Sequence, residues 1–239
     1  MKTRLLTLAA FSFSLGASAL AAENTLIDLD LAAAQAGNPP PTETFNPDSV
    51  NNAIESTTLA EGNDIQVVSD APGFPGKALR FIKGAEEPRT PSAVLVNHPG
   101  LVTSGKVRFT WEADLESFTA GEKFPGFEAL LTFVLRDGGG KPFFTFYYLV
   151  DGTEAGGTFG CGGQKLGAWS LGTKQQFEVT LDLDAGTALV KVDGEQVGEE
   201  QKIDAQDGLR VVQFSDGAGL AYYGSKFTAT MAKFKMTTL

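Results

Sequence analysis

Residues 176–194 read Gln-Phe-Glu-Val-Thr-Leu-Asp-Leu-Asp-Ala-Gly-Thr-Ala-Leu-Val-Lys-Val-Asp-Gly. In the first half, apolar residues at 177, 179, 181 and 183 alternate strictly with Glu, Thr and Asp, which is the two-residue period of a half-buried β-strand. The Asp-Ala-Gly sequence at 184–186 supplies a turn that tolerates a left-handed backbone, and apolar residues at 188, 190 and 192 resume the same face. This stretch predicts a β-hairpin from a large antiparallel sheet.

Most of the chain after residue 64 shows the same alternation. Further strands are predicted at residues 26–31, 65–69, 78–83, 93–97, 106–116, 127–137, 142–151, 209–214 and 227–236. Long strands joined by tight turns are typical of two antiparallel sheets packed face to face. The sequence therefore predicts an all-β fold, a two-sheet antiparallel β-sandwich formed by a single domain at residues 22–239.

Two strands carry additional information. Residues 143–150 are apolar on both faces, which predicts a central strand. In the last strand the apolar face shifts between Met231 and Phe234. An extra residue in a strand produces such a phase change, so we expect a β-bulge near Ala232 and Lys233.

Two segments interrupt the alternation. Residues 32–62 lose periodicity and contain three consecutive prolines at 39–41, which predicts an extended connection with a short helical turn near residues 48–55. The glycine-rich segment 156–163 lacks the Gly-Lys-Ser/Thr ending of a phosphate loop and is followed by no helix. It is predicted to be a flexible or bulged β connection.

The first 21 residues have the pattern of an export signal. Residues 1–4 carry two positive charges, residues 5–15 form an apolar core, and Ala19-Leu20-Ala21 offers a small-x-small cleavage site. The apolar core is too short to cross a bilayer as a helix. We therefore expect a signal peptide at residues 1–21 and a protein exported to the periplasm or the extracellular space.

The composition is acidic, with a net charge of −10 that becomes −12 when Lys2 and Arg4 leave with the signal peptide. Such a surface repels phosphate backbones and anionic lipids, which argues against nucleic acid binding and membrane insertion. The single cysteine, Cys161, cannot form an internal disulfide, and with one histidine, His98, a zinc site is hard to assemble. Cys161 lies between two glycines and is predicted to be inert, with an intermolecular bridge as the alternative.

One block of sequence resembles a known family. It consists of Gly167-Ala-Trp169, the strand at 177–184, Gly186, and the strand at 190–194 that ends in Asp-Gly. The block is similar to that of the concanavalin A-like lectin/glucanase superfamily, in particular the laminin-G-like jelly rolls of exported bacterial proteins. The resemblance implies a concanavalin A-like jelly roll over residues 24–239, in which an N-terminal strand pairs with the closing C-terminal strand. Members of the family bind sugars, cleave them or do neither.

The candidate catalytic motif is Glu112-Ala-Asp114-Leu-Glu116, because glucanases of this superfamily carry Glu-x-Asp-x-Glu on a concave-face strand. By resemblance, Glu112 is the nucleophile, Glu116 the acid/base, and Asp114 the group that tunes both. A retaining mechanism needs two carboxyls about 5 Å apart, whereas strand positions four residues apart are separated by about 13 Å, so curvature must close the gap. The alternative is structural, because the same carboxylates match the solvated face of an ordinary strand.

Aromatic side chains are the candidates for ligand binding. Exposed aromatic rings stack on pyranose rings, and carboxylates and amides bond to the sugar hydroxyls. The candidates are Tyr222 and Tyr223, followed by Tyr147 and Trp169. Adjacent residues on a strand point to opposite faces, so one of the tyrosine pair at most reaches a shared ligand. For Trp169 the alternative is a core residue beneath the hairpin.

No cofactor is predicted. Asp182-x-Asp184-x-Gly186 begins like a calcium loop but lacks the further oxygen ligands of an EF-hand. These observations predict an exported noncatalytic jelly-roll domain that binds carbohydrate, as a polysaccharide or other glycan, or acts as an extracellular interaction module. The alternative is a glycoside hydrolase or polysaccharide lyase that acts on β-glucan-like polymers through Glu112, Asp114 and Glu116. A structural component of an envelope assembly is a third possibility.

Overall fold

The computed structural model describes residues 23–43, 54–59, 61–84, 93–122, 124, 126–152, 155–215 and 225–239. For residues 58 and 93–100 the description is of the backbone alone. The predicted signal peptide at residues 1–21 lies outside this part of the chain. The described residues form two antiparallel sheets packed face to face and no helix. The predicted all-β sandwich is confirmed.

The first sheet has nine strands among the described residues. They are β1 (Asn24–Asp28), β3 (Asn63–Ser69), β4 (Lys77–Lys83), β6 (Lys106–Thr119), β11 (Gln175–Asp182), β12 (Thr187–Val192), β13 (Glu195–Gln196), β14 (Gln201–Lys202) and β16 (Lys226–Thr238). Their order is β13-β12-β11-β6-β16-β4-β3, with β1 also paired to β16 and β14 to β12. Both ends of the domain therefore meet in this sheet, as the resemblance implied.

The second sheet has seven strands among the described residues. They are β2 (Ile54–Thr58), β5 (Ala93–Val102), β7 (Glu128–Asp137), β8 (Pro142–Val150), β9 (Gly156–Cys161), β10 (Gln164–Ser170) and β15 (Leu209–Ser215). Their order is β10-β9-β8-β7-β15-β5-β2. Strand β8 is paired on both sides, with β7 and β9, which confirms the central strand predicted at 143–150.

The hairpin predicted at 176–194 is formed by β11 and β12. Phe177 pairs with Val192 and Leu181 with Ala188. All four side chains are buried, because the alternating apolar positions of the two strands share one face of the sheet. The other neighbour of β11 is β6, so the hairpin extends the sheet from the strand that carries the candidate carboxylates.

One local prediction was wrong, and a second was correct only in part. Residues 54–55, expected in a helical turn, begin strand β2, which pairs with β5; residues 48–53 lie outside the described chain. The glycine-rich segment 156–163, expected to be a flexible or bulged β connection, is strand β9 and a tight turn into β10, and the register of this pair shifts between Lys165 and Ala168, as at a bulge. Two of its glycines are required by packing, since a Cβ on Gly160 would overlap the ring of Tyr147 and one on Gly157 would collide with the carbonyl oxygen of Leu149.

An aromatic cluster fills the space between the sheets. Trp111 of β6 lies 5.2 Å from Phe177 and 4.7 Å from Phe133, measured between ring centroids. Phe214 and Phe146 join the same cluster. Rings from both sheets are thus in direct contact, and burial of this apolar area is the main stabilising contribution expected for a chain without a disulfide.

One ion pair also connects the two sheets. Lys83, at the end of β4, contacts Glu128, at the start of β7, with 3.1 Å between Nζ and Oε1. Their side chains are 7% and 3% exposed, so both charges are held away from water. Removal of either partner would leave the other charge buried, and the pair therefore constrains this end of the sandwich.

Candidate functional site

Strand β6 places the three candidate carboxylates on the face of the nine-stranded sheet that is turned away from the core, here called the outer face. Glu112, Asp114 and Glu116 are together called the acidic row. Glu112 is 6% exposed and Asp114 4% exposed. They therefore do not lie on an ordinary solvated face, which corrects the structural alternative considered from the sequence.

Two β-bulges shape the acidic row. Glu116 is the extra residue of β6 between the pairs Ser117–Thr228 and Leu115–Ala229. On β16 the register shifts again after Ala232, where Lys233 takes a positive φ of 56°. The second bulge is the one predicted from the phase change in the sequence. Bulges redirect side chains, and here they bring Glu116 and Lys233 to the two ends of the acidic row.

Two loops cover the outer face at this point. The β3–β4 loop at 70–76 places Phe74 on Ala78 and Ala232, where the ring is 2% exposed. The loop before β11 is held by a hydrogen bond from the Gly172 amide to the Leu115 carbonyl (2.9 Å) and carries Lys174, whose Nζ lies 5.5 Å from the centre of the Phe74 ring. The two loops thus meet over the acidic row, which explains its burial.

Glu112 is held by two lysines. Its Oε2 contacts Lys174 at 3.2 Å and its Oε1 contacts Lys233 at 2.8 Å. Burial acts to raise the pKa of Glu112, but hydrogen bonds and charge from Lys233 and Lys174 outweigh it and hold that pKa below its usual value. Glu112 is therefore a charged, immobilised carboxylate with a cation on each oxygen.

Glu116 is held in a similar way. Arg80 of β4 donates from Nη2 to its Oε1 at 2.9 Å, and the hydroxyl of Thr230 donates to the same oxygen. Arg80 Nε also donates to the Thr230 hydroxyl at 3.4 Å. Arg80, Thr230 and Glu116 thus form one connected network beside Asp114.

Asp114 differs from its neighbours because its Oδ1 is buried and has no hydrogen-bond partner. Burial, with a smaller contribution from the charge of Glu116, raises the pKa of Asp114 from 3.8 to about 6. An unpaired buried carboxylate costs stability, and such groups occur preferentially at functional sites. Asp114 is consequently the residue of this face most in need of an external hydrogen-bond donor.

Two depressions open on the outer face along the acidic row, here called the cleft. One, of about 270 Å³, is lined by Asp114 and Glu116 together with Pro72, Gly73, Gly172 and Lys174. The other, of about 310 Å³, has Glu112 and Lys233 in its wall. Its remaining polar side chains are Thr110, Gln176, Glu178 and Lys191. Carboxylates, an amide, a hydroxyl and ammonium groups therefore line one strip of the sheet, where Glu112 and Asp114 are almost fully buried.

Neither of the two predicted aromatic residues that the structure describes, Trp169 and Tyr147, lies at this cleft. Trp169 is 4% exposed and its indole N–H donates to the Thr158 carbonyl at 3.0 Å, which is the core role considered as the alternative. Tyr147 lies on the outward face of the seven-stranded sheet, across the core from the acidic row. Tyr222 and Tyr223 lie outside the described residues.

The structure also bears on the other features considered from the sequence, which are metal binding, Asp182, Cys161 and membrane-spanning segments. The described residues contain no group of three or more His, Cys, Asp or Glu side chains suited to a metal ion. Asp182 accepts a hydrogen bond from the Ala185 amide at 2.9 Å, and this bond together with Lys106 lowers its pKa, so its carboxylate caps the hairpin turn. Cys161 is 1% exposed, and burial raises its pKa to about 12. Within the described chain, no helix is long and apolar enough to cross a membrane.

Sequence reasoning missed the cations that engage the acidic row. Arg80, Lys174 and Lys233 are separated from their carboxylate partners by 36, 62 and 121 positions along the chain. For Lys233 the phase change in β16 was an available signal. For Arg80 and Lys174 the sequence contains no local signal, because their positions depend on which strands become neighbours.

Comparisons with known proteins support the fold. No family model matches the sequence, and no curated protein sequence matches it. Among solved structures, the chain is similar to the conserved carbohydrate esterase of the Shiga toxin-encoding bacteriophage phi24B, with a TM-score of 0.57 and 12% identity over 91% of this chain and 99% of that one. It is also similar to the PL7 alginate lyase AlyA1 from Zobellia galactanivorans (TM-score 0.51, 12% identity, 76% and 83%).

Two further structures share the architecture. The cellulose induced protein Cip1 has a TM-score of 0.52 and 13% identity over 74% of this chain and 87% of its own. A sialidase is matched at a TM-score of 0.50 and 13% identity, by 76% of this chain over 19% of the sialidase chain. At these identities the similarity establishes the β-sandwich fold.

Proposed function

We propose that this protein is an exported, noncatalytic domain of the concanavalin A-like superfamily that binds carbohydrate in the cleft along the acidic row. The observation that carries the proposal is Asp114, a buried carboxylate whose Oδ1 lacks a donor beside an open depression. Oδ1 is shielded from solvent in this structure, so we expect the covering loops at 70–76 and 171–174 to shift locally on binding. A sugar hydroxyl then supplies the missing donor, in a charge-assisted hydrogen bond that is one of the stronger polar contacts in proteins.

The remaining polar groups of the cleft suit the same ligand. Gln176 and Thr110 present an amide and a hydroxyl, which both donate and accept hydrogen bonds, as sugar hydroxyls do. A few fixed polar groups around a depression are the usual means of orienting a small polar ligand. Solved structures of the same fold include a carbohydrate esterase and an alginate lyase, which supports a carbohydrate ligand by analogy of fold alone.

The state of Glu112 favours a noncatalytic role. Both oxygens of Glu112 are engaged by ammonium groups, which stabilise its charge and make it a weaker nucleophile than a free carboxylate. The Oε1 of Glu116 is likewise engaged by Arg80 and Thr230. These contacts hold Glu112 and Glu116 in fixed positions on either side of Asp114.

The export and domain assignments belong to the same proposal. The charged, apolar and small-x-small pattern of residues 1–21 supports export, and the continuous β pattern supports one domain at 22–239. Sequencing of the N-terminus of the protein recovered from its host should begin at Ala22. An intact Met1 on that protein would contradict export through cleavage.

Binding measurements test the proposal. We expect the purified protein to bind at least one polysaccharide on a glycan array, with an affinity confirmed by isothermal titration calorimetry. Asp114→Asn should weaken that affinity by about tenfold or more, because the charged acceptor is lost. Asp184→Asn, which removes an exposed carboxylate beyond the cleft, is the matched control and should leave affinity unchanged.

Two results would contradict the proposal. Absence of affinity for every polysaccharide on the array would remove the carbohydrate assignment and favour an interaction module. Hydrolysis or elimination of a β-glucan-like polymer that disappears in Glu112→Gln would establish the enzymatic alternative.

A further inference from the structure

We infer that the glycan bound in the cleft is an uncharged, hydroxyl-rich polymer and not a polyuronate. This inference rests on the proposed function and specifies its ligand class. It separates the chain from the alginate lyase that shares its fold, since alginate carries a carboxylate on each sugar unit.

The first argument is the state of the cations along the cleft. Lys233 and Lys174 both contact Glu112, at 2.8 and 3.2 Å, and Lys191 contacts Glu178 at 2.9 Å. Each lysine in the described walls of the two depressions therefore already has a carboxylate partner. A polyuronate requires cations that can pair with its own carboxylates. In anion sites, arginine does this through two parallel hydrogen bonds and lysine as a point charge.

The second argument is the balance of charge. The described walls contain four carboxylates and three lysines, and Arg80 from β4 supplies a fourth cation by pairing with Glu116. Asp114 is the wall carboxylate that no cation of the described chain pairs with, and the chain as a whole has a net charge of −10. A ligand carboxylate near Asp114 would meet a like charge at low exposure to water, and like-charge contacts of this kind strongly disfavour binding.

The third argument is the chemistry that Asp114 requires. Its buried Oδ1 needs a donor, and a neutral sugar offers several hydroxyl donors without adding a charge. Thr110 and Gln176 can then accept from or donate to the remaining hydroxyls. The hydroxyls of an uncharged sugar therefore match the polar groups of the described cleft in kind, as donors and as acceptors.

The experiment compares two ligands that differ in charge and by one small methyl group on each sugar unit. Hexagalacturonate and its fully methyl-esterified form share the same sugar ring and linkage, and only the first is anionic. Isothermal titration at pH 7.5 and low salt should give at least about tenfold tighter binding of the ester. Cellohexaose, mannohexaose and xylohexaose extend the neutral set, alginate hexamers extend the anionic set, and chitosan hexamers supply a cationic probe.

Two variants test whether Asp114 causes the preference for the neutral ester over the anionic hexagalacturonate. Asp114→Asn removes the unpaired carboxylate, so it should weaken binding of the neutral ligands and reduce the preference for the ester over the acid. Asp184→Asn lowers the negative charge of the chain by the same amount at an exposed position outside the cleft. It should leave both the affinity and the preference unchanged.

The outcomes are distinguishable. Equal or tighter binding of hexagalacturonate than of its ester, or a preference for chitosan, would overturn the neutral class while the carbohydrate function stands. If Asp114→Asn binds the ester as tightly as the wild type does and prefers it over the acid to the same degree, the inference of a neutral ligand class is also overturned. The preference would then not originate in the cleft. Lack of binding to neutral, anionic and cationic glycans alike would overturn both the inference and the proposed function.

Discussion

Replacement of Asp114 by asparagine should make the folded protein more stable at neutral and alkaline pH. The native fold holds this carboxylate at 4% exposure with no partner for Oδ1, while the unfolded chain leaves it in water. Asparagine has nearly the same shape and no charge to desolvate. The substitution should therefore remove a cost of folding and, by the proposed function, also replace the charged acceptor of the ligand hydroxyl with a neutral amide.

The magnitude follows from the pKa of Asp114, which burial raises from 3.8 to about 6 in the folded state. The folded state binds the proton more tightly, so protonation stabilises the wild type fully below pH 3.8, and that stabilisation is lost as pH rises through 6. At about 1.4 kcal/mol per pKa unit, the difference amounts to about 3 kcal/mol. The free energy of unfolding of Asp114→Asn should thus exceed that of the wild type by up to about 3 kcal/mol at pH 8, and the excess should vanish near pH 3.5.

Guanidinium chloride unfolding at pH 8, 6 and 3.5, followed by tryptophan fluorescence, measures this difference. The change in the excess between pH 8 and pH 3.5 is the decisive quantity, because any constant penalty for burying the asparagine amide cancels from it. Asp184→Asn is the matched control at an exposed site and should show no such change. A constant excess at all three pH values, or a variant less stable at pH 8 than at pH 3.5 relative to the wild type, would refute the reasoning.

Three further predictions concern the core. Lys83→Met should lower the free energy of unfolding by about 3–5 kcal/mol because it leaves Glu128 charged and buried, and adding Glu128→Leu should recover most of the loss; denaturant unfolding that shows no loss in the single variant would contradict this. Cys161, 1% exposed with a pKa of about 12, should resist Ellman's reagent at pH 8 until the protein is unfolded; rapid modification of the native protein would contradict its burial. Gly157→Ala should cost about 1–3 kcal/mol in the same unfolding assay because its Cβ meets a backbone carbonyl, whereas Gly139→Ala, with ordinary contacts, should be nearly neutral; equal stabilities would contradict the packing.

Several strands were predictable from the sequence because their signal is local. Alternation with a period of two identifies a half-buried strand, and this was sufficient for β11, β12 and β6. The bulge at Lys233 was predictable for the same reason, since an extra residue changes the phase of the pattern. The β9–β10 hairpin was missed because its glycines provide no alternating side chains, although they fit beside Tyr147 and Leu149.

The candidate site was predictable in part. Glu112, Asp114 and Glu116 were identified because they resemble the Glu-x-Asp-x-Glu motif of glucanases, and the structure places them on one face. The sequence did not predict that two of them are buried. Trp169 and Tyr147 were proposed from residue type alone, and residue type does not determine whether a ring lies in the core or on the opposite sheet.

By itself, the sequence determined that this protein is a two-layer antiparallel sandwich, because alternation of apolar and polar residues is imposed by the geometry of each strand separately. Only the tertiary structure decided that Glu112 is paired with two lysines while Asp114 is left without a partner. Those contacts join residues 62 and 121 positions apart, and they depend on strand order and on where two loops fold over the sheet. Neither is encoded in a local pattern, since both result from the packing of distant segments.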